Sequence, residues 1–221
     1  MSQPANTKHI PSLRFPEFSG EWEEKKLGDV STIITGSTPS TAISEYYGGE
    51  KLFVSPVDIQ GNRYVKTTKT TLTFSGFNQG RKVSKDSVLF VCIGSTIGKV
   101  AQAYKECITN QQINSLTANS NNENNFIFSL LELKAPKIRL LAGEQAVPQI
   151  NKSDFSKLSF LFPKQKEQTK IAAFLSSVDT KIDQLSQKKS LLEHYKKGVM
   201  QQIFSQQIRF KGKRPTAPYL I

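Results

Sequence analysis

The sequence is poor in the residues that most often carry chemistry. It has two cysteines and two histidines in 221 residues. Cys92 and Cys107 form no CxxC pair, so neither a disulfide framework nor a cysteine-based zinc site is supported, and both thiols are expected to be structural. His9 and His194 lie near opposite ends of the chain. A Ser/His/Asp or Cys/His hydrolase would have to be built on one isolated imidazole. Long apolar runs are missing too: the longest is six residues, Val88 to Ile93, against the ~20 needed to span a bilayer. Residues 1–20 hold no secretory apolar core, so no membrane partner and a cytoplasmic location are expected. Acidic residues are under-represented, 18 against 30 Lys and Arg, a net charge of +12 that favours a polyanionic partner.

That charge is regional. Residues 63–105 hold Arg63, Lys66, Lys69, Arg81, Lys82, Lys85, Lys99 and Lys105 against Asp86 alone, and the last thirteen residues add Arg209, Lys211, Lys213 and Arg214 without an acid. The rest of the chain is nearly neutral, which is how a nucleic-acid footprint is distributed; a generally solvated basic surface would be spread evenly. Within the basic region Asn110, Gln111 and Gln112 carry amides of the type that pair with adenine, and Arg63, Arg81 and Lys82 could pair with guanine or with phosphate.

Composition divides the chain into an arm (1–21), a domain (22–162), a long helix (163–206) and a basic tail (207–221). The arm, with Pro4, Pro11, Pro16 and Gly20, reads as loosely structured. From Val30 to Leu116, β-branched and aromatic residues alternate with turn signals at Gly36, Gly48-Gly49, Gly61-Asn62, Gly76, Gly80 and Gly94, which is strand-and-turn punctuation. Val88–Ile93 is the best buried strand. Phe126–Leu141 predicts a helix packed through Phe126, Leu130, Leu133 and Ile138 and broken or kinked at Pro136; Leu158–Phe162 predicts one more strand. After Pro163, suited to opening a helix, no proline occurs before Phe204 and the one glycine is Gly198, so a single helix of ~60 Å is expected. Its apolar residues recur at heptad spacing: Ile171, Val178, Leu185, Leu192 and Val199, with Leu175, Ile182 and Ile203 four residues after their partners. Lys189 and Lys196 interrupt the seam. The fold class is therefore α+β, a mixed, strand-rich domain followed by one long C-terminal coiled-coil helix. A domain only ~30 Å across cannot cover such a helix, which favours a partner helix.

No catalytic motif stands out in the sequence. Gly94-Ser95-Thr96-Ile97-Gly98-Lys99-Val100 resembles a phosphate loop but has three residues between its glycines and Val100 after the lysine, where a P-loop needs four and a Ser or Thr. Ser95, Thr96 and Lys99 remain candidate phosphate contacts. Glu132-Leu133-Lys134 and Asp179-Thr180-Lys181 are isolated acid-x-Lys triplets, too common to mark a nuclease. The chain contains no Pro-Pro, which an amino-group DNA methyltransferase motif requires. No metal site is expected.

Several segments are similar to one family. Leu13-Arg14-Phe15-Pro16-Glu17-Phe18, Glu21-Trp22, Lys26-Leu27-Gly28-Asp29-Val30, Gly36-Ser37-Thr38-Pro39-Ser40, Tyr46-Tyr47-Gly48-Gly49, Ser55-Pro56-Val57-Asp58-Ile59, Gly94 to Val100 and Thr109-Asn110-Gln111-Gln112, followed by Pro163, Glu167-Gln168, Ile171-Ala172, Phe174-Leu175, Asp179, Ile182, Leu185 and Tyr195 to Phe204, resemble the target-recognition domain and conserved helix of type I restriction-modification specificity subunits. Each segment is weak alone; their order and spacing over residues 13–210 are specific. The resemblance implies a non-catalytic subunit that recognises double-stranded DNA, docks modification methyltransferase subunits and recruits restriction/translocase subunits. S-adenosylmethionine, ATP and magnesium are then expected on those partners and no cofactor on this chain. Candidate DNA contacts are Ser37, Thr38, Arg63, Lys66, Lys69, Arg81, Lys82, Ser95, Thr96, Lys99, Asn110, Gln111 and Gln112. Candidate dimerisation residues are Ile171, Leu175, Val178, Ile182, Leu185, Leu192, Val199 and Ile203. Full-length members carry two recognition domains and two long helices, and this chain one of each, so it is expected to work as a half-subunit paired with a second copy or with a different half. Two other readings stay open on the sequence: a coiled-coil DNA-binding regulator without enzyme partners, and a self-sufficient nuclease.

Overall fold

The computed structural model describes residues 9–143 and 147–210, and the chain divides into two units, Met1–Leu175 and Ser176–Ile221. In chain order the elements are β1 (Glu23–Lys26), α1 (Leu27–Val30), β2 (Ser31–Thr35), β3 (Tyr47–Val54), β4 (Tyr64–Val65), β5 (Thr70–Leu72), α2 (Phe74–Phe77), β6 (Lys82–Val83), β7 (Val88–Val91), β8 (Val100–Ala103), β9 (Cys107–Thr109), β10 (Ile113–Ala118), α3 (Asn124–Leu140), α4 (Lys152–Lys157), β11 (Ser159–Phe162) and α5 (Gln165–Phe204). This is the mixed α+β class with a long C-terminal helix. The first unit holds a five-stranded sheet in the order β2-β10-β7-β8-β4, a four-stranded sheet in the order β5-β3-β9-β6, and the β1-β11 pair.

The apolar run starting at Val88 forms the middle strand of the larger sheet, and all four residues of β7 are wholly buried. Successive side chains in a strand face opposite ways, and here each face meets a separate apolar cluster. Val88 and Phe90 join Leu116, Ile127, Leu131 and Phe155 beneath the helices. Leu89 and Val91 join Leu52, Val54, Ile59, Cys107 and Ile113 between the two larger sheets. A strand buried on both faces needs a continuous apolar run rather than an alternating one, which is why this segment stands out in the sequence.

Helix α3 departs from the sequence expectation in two ways. It runs unbroken from Asn124 to Leu140 with Pro136 inside it. The ring of Pro136 lies on the exposed side, where loss of one N–H donor is tolerated far better than in the core. The buried stripe is Ile127, Leu131, Ala135 and Ile138, with Phe126 and Phe128 beside it. Leu133, expected in the core, is 73% exposed.

Residues 9–22 contain no helix or strand, yet they are fastened to the start of α5. The Arg14 guanidinium donates to both carboxylate oxygens of Glu167 at 2.8 and 2.7 Å, and the Trp22 indole N–H donates to the same carboxylate. Phe15 meets Phe174 edge to face, and Lys170 pairs with Glu17. Gln168, also buried, donates to the Pro163 and Asn122 oxygens and accepts from the Glu123 N–H. The first unit thus continues through Leu175, and the compositional change at Pro163 marks where the helix begins rather than where the unit ends.

Candidate nucleic-acid interface

Strand register decides which predicted contacts share a place. In the larger sheet Thr35 pairs with Asn114 and Ile113 with Val91, so the segment after β2, the β9–β10 turn and the β7–β8 loop emerge at one end. In the smaller sheet β3 runs parallel to β9 with Val54 beside Thr109, and Phe53 pairs with Thr70 of β5. The segment after β3 and Lys69, just before β5, reach that same end. So does Arg81, because Lys82 pairs with Ile108. Four loops, residues 36–40, 55–60, 94–99 and 110–112, therefore gather with Lys69 and Arg81.

Hydrogen bonds fasten the loops together. The Gly36 N–H donates to the Ile113 carbonyl at 3.0 Å, the Ser37 N–H to Thr109 at 2.8 Å and the Asn110 N–H to Val54 at 2.9 Å. A Cβ on Gly36 would lie 2.0 Å from the Asn110 carbonyl oxygen and 2.3 Å from that of Thr109, so only glycine permits the approach. The Thr38 hydroxyl meets the Gln111 amide oxygen at 2.7 Å, which leaves the exposed Gln111 NH2 as the group available to a ligand. Asn110 and Gln112 are committed inward: the Asn110 amide donates to Gln112 Oε1 at 2.9 Å and the Gln112 amide to the Ile93 carbonyl at 3.4 Å. They hold the shape of the turn.

The cations sort into three groups. At the gathered end, Arg81 donates to the Thr35 carbonyl at 2.8 Å and its backbone N–H to the Ser37 hydroxyl, while Lys99 reaches the Pro56 carbonyl at 3.4 Å. Lys69, Arg81 and Lys99 have no carboxylate partner among the described residues, so this end is positively charged. Lys66 lies elsewhere, over the Tyr104 ring at 5.7 Å beyond the opposite end of β8. Lys82 covers the buried Phe77 ring at 5.3 Å. Arg63 turns into the protein: it donates to Gln102 Oε1 at 2.7 Å and Asn125 Oδ1 at 2.9 Å and stacks on Phe128. Ser95 is exposed and Thr96 half-buried in the 94–99 loop. That loop joins two antiparallel strands rather than a strand and a helix, so it lacks the helix N-terminus on which a P-loop depends.

Arg139 belongs to the gathered end although the charge pattern did not single it out. Gly98, at φ +92°, packs on the last turns of α3, and a Cβ built there would lie 3.6 Å from Cβ of the exposed Arg139. Basic residues in a final helical turn have an ordinary explanation in the helix dipole, which masks this one in the sequence. Lys211, Lys213 and Arg214 of the basic tail lie outside the described residues.

No group of three or more metal-ligating side chains occurs among the described residues. Cys92 and Cys107 are free and buried, and burial pushes both thiols up to about 12. No described helix is long and apolar enough to cross a membrane. In the second unit, Val178, Ile182, Leu185 and Leu192 are 39–55% exposed, while Val199 and Ile203 are half-buried. The other two heptad residues belong to the first unit, where Ile171 packs against its core and Leu175 is half-buried.

Comparison with known proteins identifies the family. The chain is 33% identical over 152 residues to the type I restriction enzyme HindI specificity subunit of Haemophilus influenzae, covering 66% of this chain and 32% of that protein. It is 25% identical over 178 residues to the MjaIX specificity subunit of Methanocaldococcus jannaschii, covering 78% of this chain and 41% of that one. It therefore spans about a third to two-fifths of the length of these curated relatives. The fold matches a solved chain of a type I R-M system (TM-score 0.66, 20% identity, 91% of this chain and 48% of that one). It also matches the S subunit of a type I restriction-modification system from M. genitalium (TM-score 0.61, 18% identity, 90% and 49%). The family model described as "Type I restriction modification DNA specificity domain" matches residues 19–194, and the chain belongs to that family.

Proposed function

We propose that this chain is a non-catalytic DNA-recognition and scaffold subunit of a type I restriction-modification enzyme, reading one half of a bipartite target in double-stranded DNA. The observation that carries the reading is the convergence of four interlocked loops with Lys69, Arg81, Lys99 and Arg139, cations without a carboxylate partner among the described residues. Such an end can hold phosphates by charge and present Thr38, Ser95 and Gln111 to base edges. Methyltransferase subunits carrying S-adenosylmethionine, and restriction/translocase subunits using ATP and magnesium, would supply the chemistry in the cytoplasm. The exposed heptad residues Val178, Ile182, Leu185 and Leu192 support pairing of two copies, or of this chain with a different half-subunit, through a coiled coil.

The test is to express the chain with a type I modification subunit and map the methylated adenines. Two copies should give inverted half-sites with a fixed gap, because operator symmetry mirrors protein symmetry. At 1.5 Å per residue, α5 sets a ceiling of ~60 Å, or roughly 18 base pairs. Deleting one heptad should shorten the gap by about three base pairs. An unchanged gap refutes the spacer, and absence of methylation at any defined sequence refutes the function.

A further inference from the structure

In the four gathered loops the apolar side chains Pro39, Pro56, Ile59 and Ile97 are buried, and Val57 stands apart at 57% exposure. The tip that carries it is rigid. The backbone N–H and the hydroxyl of Ser55 both donate to Asp58 Oδ2, at 2.8 and 2.7 Å, and the Asp58 N–H returns to the Ser55 carbonyl at 3.0 Å. The other Asp58 oxygen accepts from the Lys69 N–H at 2.7 Å. Lys99 reaches the Pro56 carbonyl, the Gln60 amide donates to the carbonyl of Val57 itself, and Pro56 fixes the backbone at the first position of the turn. These bonds hold the backbone on both sides of Val57, so a contact made by its isopropyl group costs little ordering. An isopropyl group has nothing to offer a phosphate. In the major groove the one apolar group on a base edge is the 5-methyl of thymine.

We propose that Val57 is a base-reading residue that packs against the 5-methyl group of a thymine in the target, an inference that rests on the DNA-recognition function above. Its neighbours Thr38, Ser95 and Gln111 supply hydrogen bonds, and Val57 supplies the methyl contact they cannot make.

The experiment uses the full chain to select duplexes from a randomised pool, then replaces each thymine of the enriched sequence by deoxyuridine, one at a time. Wild type should lose about three- to fivefold in affinity at one thymine, the effect of one buried methyl group. Val57→Ala should bind the thymine and deoxyuridine duplexes alike at that position, whereas Val57→Thr, which keeps a γ-methyl, should still discriminate. Insensitivity of wild type to every replacement, or undiminished sensitivity in Val57→Ala, overturns the inference and leaves DNA recognition standing. Failure of the pool to enrich any sequence overturns both.

Discussion

Removing the Glu167 carboxylate should destabilise the first unit strongly. The side chain is 2% exposed and that of its partner Arg14 13%, so water cannot take over the lost bonds. Glu167→Ala deletes two charge-assisted hydrogen bonds to the guanidinium and one to the Trp22 indole, leaving a nearly buried cation. Breaking a buried pair from one side costs ~3–5 kcal/mol. Arg14 keeps the Gly20 and Ser19 carbonyls as acceptors, which places the expected cost near the lower limit, about 3 kcal/mol. For a chain of this size that is a fall of roughly 6–12 °C in Tm. Trp22 is the one tryptophan and touches the carboxylate, so its fluorescence reports the local transition in a thermal melt. Glu167→Gln, which retains an acceptor without charge, should lose about half as much, and the apolar pair Arg14→Met with Glu167→Leu should recover part of the loss, because no unpaired charge remains. A fall below ~2 °C for Glu167→Ala would refute the argument that burial makes this bridge matter.

Further expectations concern the gathered loops and the thiols. Gly36→Ala places a Cβ against two backbone carbonyl oxygens and should cost about 1–3 kcal/mol or more while weakening DNA binding; urea titration and fluorescence anisotropy measure the two effects. Lys69→Gln should lower the slope of log affinity against log salt by about one, the share of one phosphate contact, whereas Lys66→Gln, at the other end of the sheet, should leave the slope unchanged. Native Cys92 and Cys107 should resist a thiol reagent at pH 8 and both react once the chain is unfolded in urea. Their folded pKa values, about 12, exceed the ~8.5 of an unfolded thiol. Stability is therefore independent of these groups below about pH 8.5 and falls as pH rises toward 12, because only the unfolded chain gains thiolates in that window. A thermal-melt series from pH 7 to 10 checks the sign.

Particular residues show how far the sequence could be read. The apolar run beginning at Val88 announced a buried strand, and the proline-free stretch after Pro163 announced α5, because both signals are local. Helix α3 was found, and of the four residues expected to pack it Phe126, Leu130 and Ile138 meet the core while Leu133 does not. Leu133 is as apolar as Leu131, and only the sheet beneath the helix selects which of them is covered. Pro136 misled for a related reason: its cost depends on whether it falls on the core side or the solvent side.

Among the candidate contacts, residue type singled out a basic, amide-bearing segment, but type does not say where a side chain is spent. Arg63 is held by Gln102 and Asn125, which lie 39 and 62 residues away in the chain, and that long-range pairing leaves no trace in local composition. Asn110 and Gln112 hold a turn, while Gln111 between them faces outward. Arg139 and Val57 enter the gathered end only through strand register and the packing of Gly98 on α3. The sequence by itself determined the strand-rich character of the domain, the long helix, the regional positive charge and the heptad spacing, since those depend on the order of side chains along the chain. Tertiary structure alone decided which loops meet, which cations stay unpaired and which apolar side chain is left exposed, because burial and pairing are properties of neighbours distant in sequence.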